Sequence, residues 1–322
     1  MPGRKENVMD KKTLLVGEPM GLFIACEEGK LSDINSYSFA VAGAELNVAV
    51  GMARLGQKVG YYTKLGDDPF GRRVLDVLRK NKISTELIML SGEKPTGMML
   101  KSKVSEGDPD IFYFRKNSAA STINADDIMA LDLEGYHAVH MTGITPAISE
   151  SAKEAVFALI RRAKNRGIRL SFDPNLRPML WQNAQNMRET IHSIAFQSDL
   201  FLPGIKEVVQ LTGILEPEAA AEFYLNRGVR AIVIKLGANG AYYDDGSNHG
   251  YVSGYKIEKI VDTVGAGDGF AAGVLSGLDE GLSLRQAVQW GNAVGALQLT
   301  CAGDNEGLPT RRQLETFIHL HT

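Results

Sequence analysis

Val261-Asp262-Thr263-Val264-Gly265-Ala266-Gly267-Asp268-Gly269-Phe270 runs from a β-branched apolar stretch into a turn of small residues, and Ala271-Ala272-Gly273-Val274-Leu275 continues it as an apolar helix. Gly265, Ala266 and Gly267 leave room for a group to lie against the backbone. A helix starting there aims unpaired N–H groups and the positive end of its dipole at that space. This is the geometry of an anion site. Asp268 falls in the first turn, where it reads either as an acidic helix-start residue or as a base facing the bound anion. No Gly-Lys-Ser/Thr follows, so the turn is not a Walker loop, and there is no Gly-x-Gly-x-x-Gly dinucleotide fingerprint near the N-terminus.

Outward from this turn the chain alternates. Apolar strands are expected at Ala138–Met141, Arg169–Phe172, Leu200–Leu202 and Ala231–Lys235, with helices at Glu150–Arg166, Ala184–Phe196 and Glu216–Arg227. Short connections between them imply a parallel sheet covered by helices on both faces. Gly240–Asp245 and Gly250–Lys256 read as antiparallel edge strands, and helices near Gly269–Leu278, Leu284–Cys301 and from Thr310 close the domain. Toward the N-terminus, Thr13–Gly17 is a buried strand, the helix from Gly43 to Leu55 carries small residues for close packing against a sheet, Val59–Leu65 is a strand and Phe70–Lys82 an amphipathic helix. Two strand pairs break the alternation: Leu22–Cys26 with Tyr37–Ala42, and Met98–Val104 with Asp110–Arg115 across the turn Ser105–Pro109. They read as excursions, roughly residues 19–42 and 92–118, that build one small sheet as a lid. The fold class is therefore α/β, a doubly wound, mainly parallel sheet with a small inserted β lid, in one domain over residues 13–322 behind a disordered leader at 1–12. In such sheets ligands bind beyond the carboxyl ends of the strands. Thr142-Gly143-Ile144, Asp173-Pro174-Asn175-Leu176-Arg177, Pro203-Gly204-Ile205-Lys206-Glu207 and Lys235-Leu236-Gly237 all fall there.

Composition excludes several classes. In 322 residues, Lys and Arg total 35 against 38 Asp and Glu, and no basic block points to nucleic acid. No run is long and apolar enough to span a bilayer. Cys26 and Cys301, the two cysteines, lie far apart without metal-type spacing, which suggests free thiols in a reducing compartment. The opening Met1–Asn7 has no apolar stretch behind it, so no signal peptide is read there and a cytoplasmic protein is expected. His137 and His140 read as core or turn histidines, and Trp181 and Trp290 as packing residues.

Asp262–Phe270 resembles the C-terminal signature of the ribokinase-like (PfkB) carbohydrate kinases. Ala42-Gly43-Ala44-Glu45-Leu46-Asn47-Val48-Ala49, with Leu55-Gly56, resembles their N-terminal signature, and Gly66-Asp67-Asp68-Pro69-Phe70-Gly71 another shared stretch. The resemblance implies an ATP-dependent kinase in which Asp268 is the base and the amides of Gly265, Ala266 and Gly267 form the anion hole. By the same resemblance Lys235, Gly237, Gly265, Gly267 and Asn292 lie toward the nucleotide, although a strand-end lysine and a helix-surface asparagine would look alike. Glu207 resembles the acid of an Asn-x-x-Glu motif that organises Mg²⁺ through water, but Gly204 stands where the asparagine belongs. Mg²⁺ is expected with ATP, held largely by phosphates and water. A monovalent cation near the carbonyls of Asp262 and Val264, and a homodimer through the lid, are further expectations from the likeness.

Arginine chemistry narrows the substrate. A sugar acid calls for a guanidinium that forks its carboxylate, whereas a neutral sugar does not. Tyr113 and Arg115 in Phe112-Tyr113-Phe114-Arg115, Thr142–Pro146, Asp173–Arg177 with Leu180-Trp181, and Gly303-Asp304-Asn305-Glu306-Gly307 resemble the 2-keto-3-deoxygluconate kinase branch. That branch implies Gly43, Tyr113, Arg115, Ile144, Arg177 and Asp268 around the sugar acid, and Asn47, Met99, Asp173 and Asn175 belong to the same expected shell. Met98-Met99 stands where the branch usually carries a tyrosine. The alternatives are a kinase for a neutral sugar, fructose or ribose, and a non-catalytic sugar or nucleotide sensor on the same fold.

Overall fold

Thr13-Leu14-Leu15-Val16 is buried throughout, because this strand lies inside the sheet with a helix layer on each side. The computed structural model describes residues 12–104 and 109–321. The expected leader therefore lies outside the described residues except for Lys12, which begins the first strand rather than ending a tail. Ser105–Asp108 of the expected lid turn also lie outside them.

The strands are β1 (Lys12–Val16), β2 (Met20–Glu28), β3 (Tyr37–Ala42), β4 (Val59–Gly66), β5 (Ile88–Ser91), β6 (Met98–Lys103), β7 (Ile111–Phe114), β8 (Tyr136–Thr142), β9 (Arg169–Asp173), β10 (Leu200–Phe201), β11 (Ala231–Lys235), β12 (Ala241–Asp244) and β13 (His249–Val252). Nine of them form the main sheet in the order β13-β12-β11-β10-β9-β8-β1-β4-β5. Seven strands run parallel, and β12 and β13 are antiparallel at one edge, as expected. The pleat sends alternate side chains to opposite faces. Leu14 and Val16 join a core with Val139, Phe172 and the helix Glu150–Asn165, while Leu15 joins Tyr61, Val233 and the helices Ala44–Arg54 and Ala266–Asp279.

The two excursions do meet in a second sheet, ordered β3-β2-β6-β7. Phe70, from the helix Pro69–Lys80, anchors this lid by its ring contacts with Phe23 and Phe39, at 5.7 and 5.6 Å between centroids. The helix Ala44–Arg54 packs against the strands β1, β4 and β8, as its small residues suggested, and at Gly51 also against the helix Ala266–Asp279. A Cβ on Gly51 would sit 2.6 Å from that of Ala272.

Candidate active site

The helix expected from Gly269 begins three residues earlier, at Ala266. Gly265 caps it with φ of 79°, and a Cβ there would come 2.0 Å from the carbonyl oxygen of Asp304, so only glycine fits. The first backbone bond of the helix runs from Gly269 N–H to Gly265 C=O. The N–H groups of Ala266, Gly267 and Asp268 thus have no partner within the helix. The earlier start puts the small-residue turn itself at the positive end of the dipole.

Asp268 is half-buried at the base of a cavity of about 650 Å³ between the sheet and the lid. Asn47 Nδ2 donates to its Oδ2 at 2.8 Å and Asn175 Nδ2 to its Oδ1 at 3.3 Å. Burial pushes the Asp268 pKa up to about 7; the Asn47 bond opposes this, the Asp173 carboxylate adds to it, and Arg177 and Lys235 pull it down. Such a value sits where a general base works best near neutral pH. Asn47 is itself held, since Asn305 Nδ2 donates to its Oδ1 at 3.1 Å and to Val41 C=O at 3.0 Å.

The wall beside Asp268 is built from strand ends. Lys235 Nζ bonds Asp173 Oδ2 at 2.6 Å. Burial lowers the Lys235 pKa, but the carboxylates of Asp173 and Glu207 outweigh it and hold the ammonium charged. Asn175 adopts a left-handed backbone, φ of 35°, which turns the chain after β9 into the cavity. Glu207 accepts from Gly204 N–H at 2.7 Å and Leu176 N–H at 2.8 Å, so it caps its own helix (Ile205–Thr212) and pins the Asp173–Arg177 turn. With both oxygens bonded to backbone, Glu207 is a positioning group in this wall. No cluster of three or more His, Cys, Asp or Glu suited to a metal occurs among the described residues.

Gly43, Asn47, Met99, Tyr113, Arg115, Ile144, Asp173, Asn175, Arg177, Glu207, Lys235, Gly265, Gly267 and Asp268 all line this one cavity. Arg177 donates to Leu176 C=O and keeps a partly exposed guanidinium. Arg115 is 6% exposed; its Nε donates to Glu18 Oε2 at 2.8 Å, and its guanidinium lies 5.3 Å from the Tyr113 ring centre. Glu18 also accepts from Ser118 at 2.5 Å. Arg115 is thus pre-paired with Glu18, a fixed guanidinium at the cavity edge whose charge the carboxylate offsets, rather than a free fork. Met99 packs with Met20, Leu22 and Ala42, giving the lid side an apolar lining. Glu45, fully buried, accepts from Thr142 at 2.6 Å and Thr145 at 2.9 Å, which locks the start of its helix to the end of β8. Burial raises its pKa.

A second cavity of about 540 Å³ adjoins the first and shares Lys235, Thr263 and Gly267 with it. Gly237 and Asn292, expected toward the nucleotide with Lys235 and Gly267, line it together with Ala266, whereas Gly265, expected there too, lines only the first cavity. The amide nitrogen of Asn292 is already spent on Val252 C=O and Ser253 C=O, both at 3.1 Å, so it holds the wall in place. Sequence reasoning missed Lys101, Glu18, Asp304 and Asn305. Asn305 and Asp304 lie inside a motif that was noticed, but Lys101 and Glu18 act on residues more than ninety positions away.

A model of the pfkB family carbohydrate kinases matches residues 10–311. The chain is 45% identical to a 2-dehydro-3-deoxygluconokinase of Bacillus subtilis over 94% of each chain, and 32% identical to one of Thermoproteus tenax over 94% and 93%. It is also 31% identical to a probable fructokinase-2 of Arabidopsis thaliana over 97% of each. Among solved structures, a PfkB protein from Polaromonas sp. JS666 is 39% identical, with a TM-score of 0.86 over 95% of this chain and 99% of that one. A putative ribokinase II from E. coli in complex with ATP and Mg²⁺ is 27% identical, with a TM-score of 0.88 over 97% and 100%. The chain belongs to the pfkB family of carbohydrate kinases. It is an ATP-dependent sugar kinase, a phosphotransferase with the ribokinase-like fold. No described helix is long and apolar enough to cross a membrane.

Proposed function

We propose that this kinase phosphorylates the primary hydroxyl of 2-keto-3-deoxygluconate (2-dehydro-3-deoxygluconate) or a close sugar acid, with ATP as donor. The observation that carries the reading is the Asp268 carboxylate, held by Asn47 and Asn175 beside the open helix start, in a cavity that Arg177 lines from the strand ends and Arg115 from the lid. The identity to the Bacillus subtilis 2-dehydro-3-deoxygluconokinase over most of both chains supports the same substrate.

In this reading the sugar lies in the first cavity and the nucleotide in the second. Asp268 takes the proton of the sugar hydroxyl as its oxygen attacks the γ-phosphorus, and ADP leaves. The amides of Gly265, Ala266 and Gly267 stabilise charge on the transferred phosphoryl group without reorganising. Mg²⁺ brought by ATP would neutralise phosphate charge, and Glu207 is the acid that the family resemblance places toward it through water. Arg177 forks the substrate carboxylate, with the Arg115 guanidinium, held in place by Glu18, lining the lid side. Met99 offers no hydroxyl, so carboxylate binding weighs more in recognition than polar contacts from the lid.

Turnover of a panel of sugars and sugar acids by the wild type and by Arg177→Ala tests the proposal. The sugar acid should be the best substrate, and Arg177→Ala should lower kcat/KM for it by about 10²-fold while sparing fructose, in line with ~1.5–3 kcal/mol for a charged hydrogen bond. Fructose as the better substrate, with equal effects of the variant on both, would mean the neutral-sugar kinase. Absence of turnover with every sugar would favour the sensor. Phe112 and Phe114, half-exposed on β7, are the apolar surface that a homodimer through the lid would cover.

A further inference from the structure

Lys101 has no part in the chemistry above, yet it is 3% exposed in a lid strand whose Met99 lines the cavity. A buried ammonium needs nearby acceptors. Lys101 Nζ lies 2.7 Å from Asp262 Oδ2 and 3.4 Å from Asp304 Oδ1, and both carboxylates are largely buried. These acids belong to the two segments that frame the helix start. Asp262 accepts from Val264 N–H and Gly303 N–H, both at 3.1 Å. The carbonyl of Asp304 presses on Gly265 where a Cβ would be. Gln298 Nε2 ties the same segments by bonding Gly303 C=O at 2.7 Å and Val264 C=O at 3.4 Å.

A monovalent cation near Asp262 and Val264 was one expectation of the sequence. The residues present do not fit one: of the carbonyls expected to hold it, that of Val264 accepts from Gln298, and the Asp262 carboxylate beside them already carries an ammonium and two backbone N–H groups. We infer that Lys101 is the built-in counter-cation of the Asp262–Asp304 pair, a positioning residue through which the lid, rather than a bound metal ion, holds the anion-hole turn in shape. The inference rests on the anion-hole reading above. It makes the active site dependent on the lid in a second way: the strand that covers the sugar also braces the loop that meets the phosphate.

Two measurements test it, each made with whichever sugar the wild type turns over, so that a wrong substrate assignment leaves the test intact. First, wild-type turnover should be the same in potassium, sodium and tetramethylammonium chlorides at equal ionic strength. Activation by potassium of about tenfold or more would overturn the inference, since it would mean a cation site that Lys101 does not fill. Second, Lys101→Met should lower kcat by about 10- to 100-fold, a softer loss than deleting an oxyanion donor outright, with KM for ATP changed far less. Potassium or ammonium should restore part of that loss in the variant alone. An unchanged kcat would overturn the inference, as would a loss that no monovalent cation repairs in a variant shown by circular dichroism and ADP binding to be folded. Should Lys101→Met not fold, the wild-type cation series decides by itself.

Discussion

Asp268 concentrates the residue-scale chemistry. Its pKa of about 7 predicts that kcat/KM falls as pH drops through 7, about tenfold per unit below it, because only the carboxylate accepts the hydroxyl proton. Asp268→Asn should lose about 10²–10⁴-fold in rate at pH 8, and near-full activity in that variant would exclude the base role. The same raised pKa has a consequence for stability. An unfolded aspartate titrates near ~3.9, so the folded state binds the proton more tightly than the unfolded chain does. Stability from the neutral carboxyl is fully present below that pH and lost as pH rises through 7. Thermal melts should therefore show Asp268→Asn gaining on the wild type between pH 4 and pH 8. Asn47 was legible from sequence because it lies within a recognisable motif. Its support by Asn305 was not, since nothing local in an asparagine declares a partner 258 positions away.

Among elements, the helix Ala266–Asp279 governs the site. Gly265→Ala puts a methyl against the Asp304 carbonyl and strains a positive φ, so it should cost on the order of 1–3 kcal/mol of stability and also cut kcat. Chemical denaturation together with steady-state kinetics checks both; a fully active and stable variant would contradict the tight turn. The regular alternation, both lid hairpins and the antiparallel edge were readable from periodicity and turn residues. The short edge strand Ile88–Ser91 was not, because its side chains are half-exposed or exposed and show no clean alternation. The helix Ala125–Ala130 carried a readable signal in Asn124 and Asp127, which cap each other across its first turn. The helix Ile205–Thr212 hid behind Gly204, which offers no capping side chain.

For the whole molecule, two cavities meet at Lys235, Thr263 and Gly267, and the proposed reading puts one substrate in each. Ligand linkage then offers a test free of turnover. A sugar acid at about 100 times its Kd should stabilise the fold by about 2.7 kcal/mol, and Arg177→Ala should erase most of that shift in a thermal melt. Fructose giving the larger shift would speak for the neutral-sugar reading. The lid could be inferred as an interruption of the alternation. Its ionic bond to the far loop through Lys101 could not, because the pairing joins residues 161 and 203 positions apart.

The Asp268–Asn47 bond joins residues 221 positions apart. During synthesis, Asn47 emerges with the first strands of the sheet, while its acidic partner and the bracing Asn305 come near the end. In the proposed reading, a chain that still lacks the later segment, even one with much of its sheet formed, has no assembled base.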